Sequence, residues 1–260
     1  MLTVGIIIAL VLDRSFPALR DQRRQHSLSN YFRWIANHWI PSQLPRRLAP
    51  LVLLLPMLLF VALIDSLFQS GIFAVGYYSL IAFTCLQPAV LNEDVDRRIK
   101  DLQNDQSSAN QNAQELFGLA NKYLYTVIFW LVILGPLAAV AYRMLDSLCS
   151  EKDLSASQTG RADVVRIVSW LEWPPALISS FLFLVCGNFE AGLKAAQSMP
   201  YFASDLQALN ESRLRQVGQA SLRTEFENES GIESMQRSRG LLLRSLVLWL
   251  VIAAGFEYWL

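Results

Sequence analysis

Residues 48–64 read LAPLVLLLPMLLFVALI and contain no charged side chain. A second uncharged run, residues 71–91, follows after only six intervening residues. As helices, these runs are long enough to cross, or nearly cross, the roughly 30 Å hydrocarbon core of a bilayer. Two neighbouring helices that are apolar on every face do not suit the small core of a soluble 260-residue chain. The two runs therefore predict a transmembrane helical hairpin.

Hydrophobic segments recur along the whole chain, which predicts an all-α polytopic integral membrane protein. The first segment reaches only about 18 Å as a helix, and the fifth carries Glu172 and Pro174-Pro175. Whether these two cross the bilayer is left open, so we expect four to five transmembrane helices in a single membrane domain, residues 1–260. The segments lie at about residues 1–12, 48–65, 71–91, 123–141, 167–186 and 241–260.

The distribution of Lys and Arg gives an orientation for these segments. The connection between the two hairpin helices has no basic residue, which assigns it to the outside. If every later segment crosses, the polar regions assigned to the inside hold seventeen basic residues and those outside hold four. The cytoplasmic regions are expected to be partly helical. If residues 167–186 dip into the membrane and return, the orientation of the C-terminal segment flips, and the side of the stretch around Arg143 is left open.

Composition and motifs argue against several classes of protein. The formal net charge is zero, so no global field favours nucleic acid. The three cysteines show no CxxC spacing and the two histidines lie far apart, so neither a disulfide framework nor a metal site is expected. Phosphate-binding loops and the common hydrolase motifs are missing. We therefore expect no cofactor and lean away from an enzyme.

A Gly-Pro pair interrupts the stretch FWLVILGPLAAVAYR, residues 129–143. A membrane helix tolerates such a pair where neighbouring helices satisfy the freed backbone groups. The pair predicts a kink that turns Tyr142 and Arg143 back over the helix bundle. Pro174-Pro175 predicts a second interruption of the same kind, and two facing interrupted helices are a recurring way to build a membrane site.

Two smaller features complete the local predictions. Residues 204–207 (SDLQ) fit a capping box that opens a helix at Ser204. Residues 103–114 are almost free of apolar side chains and predict a loop.

Polar residues at the segment ends are the candidates for a binding site. Charges in such places usually mark where a helix leaves the membrane, and that interpretation stays open. The alternative is a mixed-charge cluster at the cytoplasmic face, which conflicts with strictly alternating crossings. The candidates are Arg14, Glu93, Arg143, Asp146 and Arg166.

The same residues carry a resemblance to a known family. Phe129-Trp130, Gly135-Pro136, Ala139 and Tyr142-Arg143 resemble the FW…GP/GA…YR signature of the AmpE proteins, which share a superfamily with the CobD/CbiB proteins of cobalamin biosynthesis. Further similar stretches follow in order along the chain: Asp13-Arg14, residues 31–34, residues 168–177 and residues 239–253.

Departures from the pattern favour the AmpE branch. In CobD/CbiB the Tyr-Arg pair is followed by AVNTLD, whereas Asp146 and Cys149 stand at its Asn and Asp positions here. Leu177 replaces an Arg that is expected in both branches, so that departure does not distinguish them. The resemblance implies a multi-pass protein of the bacterial inner membrane, a signalling modulator linked to β-lactamase induction and peptidoglycan recycling. It implies as partners the lipid bilayer and other inner-membrane or recycling proteins. The alternatives are a CobD/CbiB-like amide-forming synthase and a structural assembly subunit.

Overall fold

The computed structural model describes residues 2–15, 34, 38, 49–68, 72–88, 109–150, 161–222 and 231–259. Within these ranges the chain is almost wholly helical and contains no strand. The prediction of an all-α protein is therefore confirmed. In chain order the helices are α1 (Leu2–Ser15), α2 (Ala49–Leu67), α3 (Ile72–Cys85), α4 (Ala109–Ala120), α5 (Thr126–Ile133), α6 (Pro136–Ser150), α7 (Arg161–Cys186), α8 (Phe189–Gln197), α9 (Leu206–Leu222) and α10 (Gly231–Trp259).

The chain forms two compact units. The first unit comprises Met1–Leu86 and Val127–Leu171, and the second comprises Gln87–Thr126 and Glu172–Leu260. In the first unit, α1 packs along α3, while α2 and α3 both pack against α6. In the second unit, α4 packs against α9 and α10, and α8 packs against α9.

The backbone of α9 lies close to an aromatic ring in the second unit. A side chain at Gly218 would place its Cβ only 2.7 Å from the ring of Phe117. Because glycine has no Cβ, α9 can lie directly over that ring. Phe117 in turn packs against Phe183, with ring centroids 5.1 Å apart. The polar helix α9 is thereby held on an aromatic core.

Three stretches of the described chain are helices long and apolar enough to cross a membrane. They are Glu115–Ile133, Arg161–Cys186 and Glu233–Trp259. The predicted hairpin runs lie in α2 and α3, whose apolar portions, Val52–Leu67 and Phe73–Cys85, are shorter. By this criterion the count is three, fewer than the four to five expected, so the higher count stays a prediction.

The Gly-Pro pair does not kink a helix but separates two. Helix α5 ends at Ile133, Gly135 adopts a φ of +80°, and Pro136 opens α6. Glycine accepts this left-handed conformation without a Cβ clash, and proline suits the first helical position, where an N–H has no partner within the helix. Two helices therefore share the predicted hydrophobic segment 123–141: its first part belongs to the apolar helix Glu115–Ile133 and its last part, from Pro136, to α6.

The Pro174-Pro175 pair behaves in the opposite way, and the predicted interruption there was also wrong. Helix α7 runs through both prolines without a break. Pro175 has no N–H to donate to the carbonyl of Leu171, four residues earlier. The indole Nε1 of Trp130 donates to that carbonyl instead, at 3.1 Å. A neighbouring side chain thus replaces the missing backbone donor.

Two local predictions also change. Residues 103–108 of the predicted loop lie outside the described residues. The rest of that stretch, from Ala109 onward, belongs to helix α4, so the prediction of a loop there was wrong. Helix α9 is capped by Asp205, whose Oδ1 accepts from the backbone N–H of Ala208 at 3.0 Å. The capping box at Ser204 was therefore wrong by one residue, and Gln207 instead contacts Glu211 one turn further along.

Replacing Trp130 by Phe should destabilise the protein, because it leaves the Leu171 carbonyl without a donor in an apolar surrounding. We expect the free energy of unfolding to fall by about 1–3 kcal/mol, measured by thermal unfolding in detergent. The same change in a Pro175→Ala background should cost clearly less, since the alanine backbone supplies the N–H that proline lacks. Equal losses in both backgrounds would contradict this role of the indole.

Candidate functional site

Arg143 and Asp146 form a buried ion pair on α6, in the first unit. They lie three residues apart, about one helical turn, and therefore share a face. Nη1 of Arg143 donates to Oδ2 of Asp146 at 2.7 Å, and the two residues are 8% and 3% exposed. A charge-assisted bond of this length in a protected place is one of the stronger polar interactions in proteins.

The chain around this pair is apolar and tightly packed. Tyr142 is fully buried, and Leu145 and Leu148 are buried on the same helix. The hydroxyl of Ser147 donates to the carbonyl of Arg143 at 2.9 Å. Since an unpaired charge in such a place is very costly, each member of the pair requires the other. The pair is a fixed dipole held on a rigid helix.

The other candidates do not join this pair within the described residues. Arg14 and Arg166 are exposed, and in the part of the chain that the structure describes no hydrogen bond or ion pair joins either of them to Arg143 or Asp146. Glu93 lies outside the described residues. Of the five candidates, the structure brings two together. It also shows a feature that the sequence did not indicate: Asp13, beside the exposed Arg14, is buried.

A polar chain runs through the apolar interior of the second unit. Trp249 Nε1 donates to Ser179 Oγ at 3.3 Å, and Ser179 Oγ donates to Asn121 Oδ1 at 3.2 Å. Asn121 Nδ2 continues the chain to Thr126 Oγ1 at 3.3 Å. All four residues are buried. These hydrogen bonds join α7, α10 and the helical stretch between α4 and α5.

Tyr125 makes a second connection to α10. Its hydroxyl donates to the carbonyl of Leu242 at 3.0 Å and lies 2.7 Å from Ser245 Oγ. Asn121 and Tyr125 are the two ends of a π-helical turn, Asn121–Tyr125, a local widening that is frequent at functional sites. The sequence did carry a signal for this network, because polar residues inside apolar runs usually face other helices.

Neither of these polar groups resembles a metal centre. Among the described residues, no three His, Cys, Asp or Glu side chains come together in a way that suits a metal ion. The arrangement instead provides hydrogen-bond donors, acceptors and one fixed ion pair. No protein-family model, curated protein or solved structure matches the chain.

Removing one member of the ion pair should cost more than removing both. Asp146→Ala leaves a buried guanidinium without its carboxylate, so we expect the free energy of unfolding to fall by about 3–5 kcal/mol in detergent. The double variant Arg143→Met/Asp146→Leu should recover most of that loss, because both charges are gone. If the double variant is as unstable as the sum of the single changes, the two side chains do not act as a pair.

Proposed function

We propose that this chain is a multi-pass protein of the bacterial inner membrane, with four to five crossings. We further propose that it acts as an AmpE-type regulatory modulator, linked to β-lactamase induction and peptidoglycan recycling. In this proposal it acts by binding other inner-membrane or recycling proteins, and it has no catalytic step of its own.

The membrane placement is supported by exposed apolar stripes on the helices. On α2, Leu55, Leu59 and Leu63 follow one another at intervals of four residues, and each is more than half exposed. A four-residue spacing keeps side chains on one helical face. Helix α10 carries a similar exposed set. Soluble monomers rarely expose contiguous apolar surface of this kind, whereas a lipid environment accommodates it.

The buried Arg143–Asp146 pair is the observation that carries the regulatory proposal. Arg143 belongs to the Tyr-Arg motif on which the AmpE resemblance rests, and Asp146 stands where the CobD/CbiB pattern has Asn. The bond between them lets each charge compensate the other inside the first unit. In this proposal the buried pair orients α6 and so fixes the shape of the neighbouring surface that a partner binds.

Labelling of Cys149 tests the side of the membrane on which this site lies. Cys149 is partly exposed on α6, three residues after Asp146. In a Cys85→Ala/Cys186→Ala background, we expect a membrane-impermeant maleimide to label it in inverted vesicles and not in intact spheroplasts. Labelling from the outer side only would remove Arg143 from a cytoplasmic binding site.

Induction of β-lactamase tests the function itself. In a host with an inducible β-lactamase, deletion of this gene should change the response to a β-lactam inducer by several-fold. Restoration should succeed with the wild-type chain and with Arg161→Ala, an exposed position outside the candidate cluster, but fail with the charge-neutral Arg143→Met/Asp146→Leu variant at equal membrane levels.

Two outcomes would replace the proposal with one of the alternatives. Restoration of cobalamin synthesis in a CobD-deficient strain would favour the synthase. Full activity of the charge-neutral double variant would favour a structural subunit, since such a role does not need the pair.

A further inference from the structure

A cavity of about 440 Å³ opens in the second unit, where α7 ends beside α9 and α10. We propose that it binds the phosphate of an anionic phospholipid, with the acyl chains lying along the apolar part of α10. This inference rests on the membrane placement proposed above. The lining residues are Cys186, Gly187, Asn188, Ser221, Leu222, Arg237, Leu241 and Arg244.

Two arginines give this cavity its chemistry. Arg237 and Arg244 are seven residues apart on α10, so they share one helical face and are separated by about 10 Å along the axis. Both line the cavity, and none of the other described lining residues is acidic. Guanidinium groups bind phosphate oxygens through paired N–H donors, which makes a phosphate group the ligand that fits this lining.

The contacts of Arg244 hold its guanidinium beside the C-terminal end of α7. Its Nε donates to the carbonyl of Gly240 at 3.3 Å, and Nη1 donates to the carbonyl of Cys186, the last residue of α7, at 3.2 Å. A guanidinium carries five N–H groups, and these two bonds use two of them. Arg244 therefore has three further donors for an anion while it satisfies a carbonyl at the end of α7.

The surroundings identify the source of the phosphate as a lipid. Three apolar side chains on α10 follow Arg237 and lie on either side of Arg244 in the chain. Each is more than half exposed, and they are Leu243, Val247 and Val251. On the neighbouring α7, the exposed side chains just before the cavity are Phe181 and Val185. An apolar surface that leads directly to two arginines matches the arrangement of an acyl chain and an anionic headgroup.

Native mass spectrometry of the full chain in detergent tests the proposal, with phosphatidylglycerol and the zwitterionic phosphatidylcholine added separately. We expect phosphatidylglycerol to be retained several-fold more strongly. Arg237→Gln should lower that retention about fivefold, the effect of losing one basic group near an anionic lipid. The matched control is Arg239→Gln, an exposed position two residues along that does not line the cavity, and it should leave retention unchanged.

Equal retention of the two lipids, or equal effects of the Arg237 and Arg239 changes, would overturn the site. Displacement of phosphatidylglycerol by inorganic phosphate at similar concentration would identify a site for a free anion and overturn the lipid assignment. Because Arg244 bonds to the end of α7, Arg237→Gln is the deciding variant, and its thermal unfolding midpoint should match that of Arg239→Gln so that a change in lipid retention is not a loss of folding. Carbonate extraction of native membranes separates this proposal from the one on which it rests: a chain released by carbonate refutes the membrane placement, whereas a chain that stays without a lipid preference refutes only the cavity.

Discussion

A backbone carbonyl in an apolar surrounding needs a hydrogen-bond donor, and a proline within a helix removes one. At Pro175 the helix continues, because the indole of Trp130 takes the place of the missing N–H. At Gly135-Pro136 the helix ends instead, with glycine in the left-handed region and proline opening the next helix. In this chain, the proline that has a neighbouring side-chain donor stays inside a helix, whereas the proline that follows a left-handed glycine begins a new helix.

The same constraint applies to side chains. Arg143 and Asp146 can be buried because they form an ion pair. Asn121, Ser179 and Trp249 can be buried because they form a continuous chain of hydrogen-bond donors and acceptors. A buried polar network that is satisfied fixes the position of the helices around it. The polar groups of each unit therefore fix the positions of the helices around them.

The sequence predicted the helical class well, since long uncharged runs such as residues 48–64 have few other solutions. It predicted the outcome at proline poorly, because that outcome depends on the indole of a residue more than forty positions away in the chain. The Arg143–Asp146 pair could be predicted in part: the spacing of three residues places both on one face, but their burial depends on helices packed from elsewhere. The Asn121 network was missed because Asn121 lies just outside the predicted segment 123–141, beside Lys122, and an isolated amide does not reveal which helix supplies its partner.

The widened turn at Asn121–Tyr125 determines which side chains face each other beyond it. In a regular α-helix, positions 121 and 126 would point about 140° apart, whereas here Asn121 and Thr126 share a hydrogen bond. The stretch thus contains one residue more than a regular α-helix with the same number of turns. Loss of that single residue would restore the regular pitch and leave the following side chains facing nearly the same way, whereas loss of a residue from a regular α-helical turn would rotate them by about 100°.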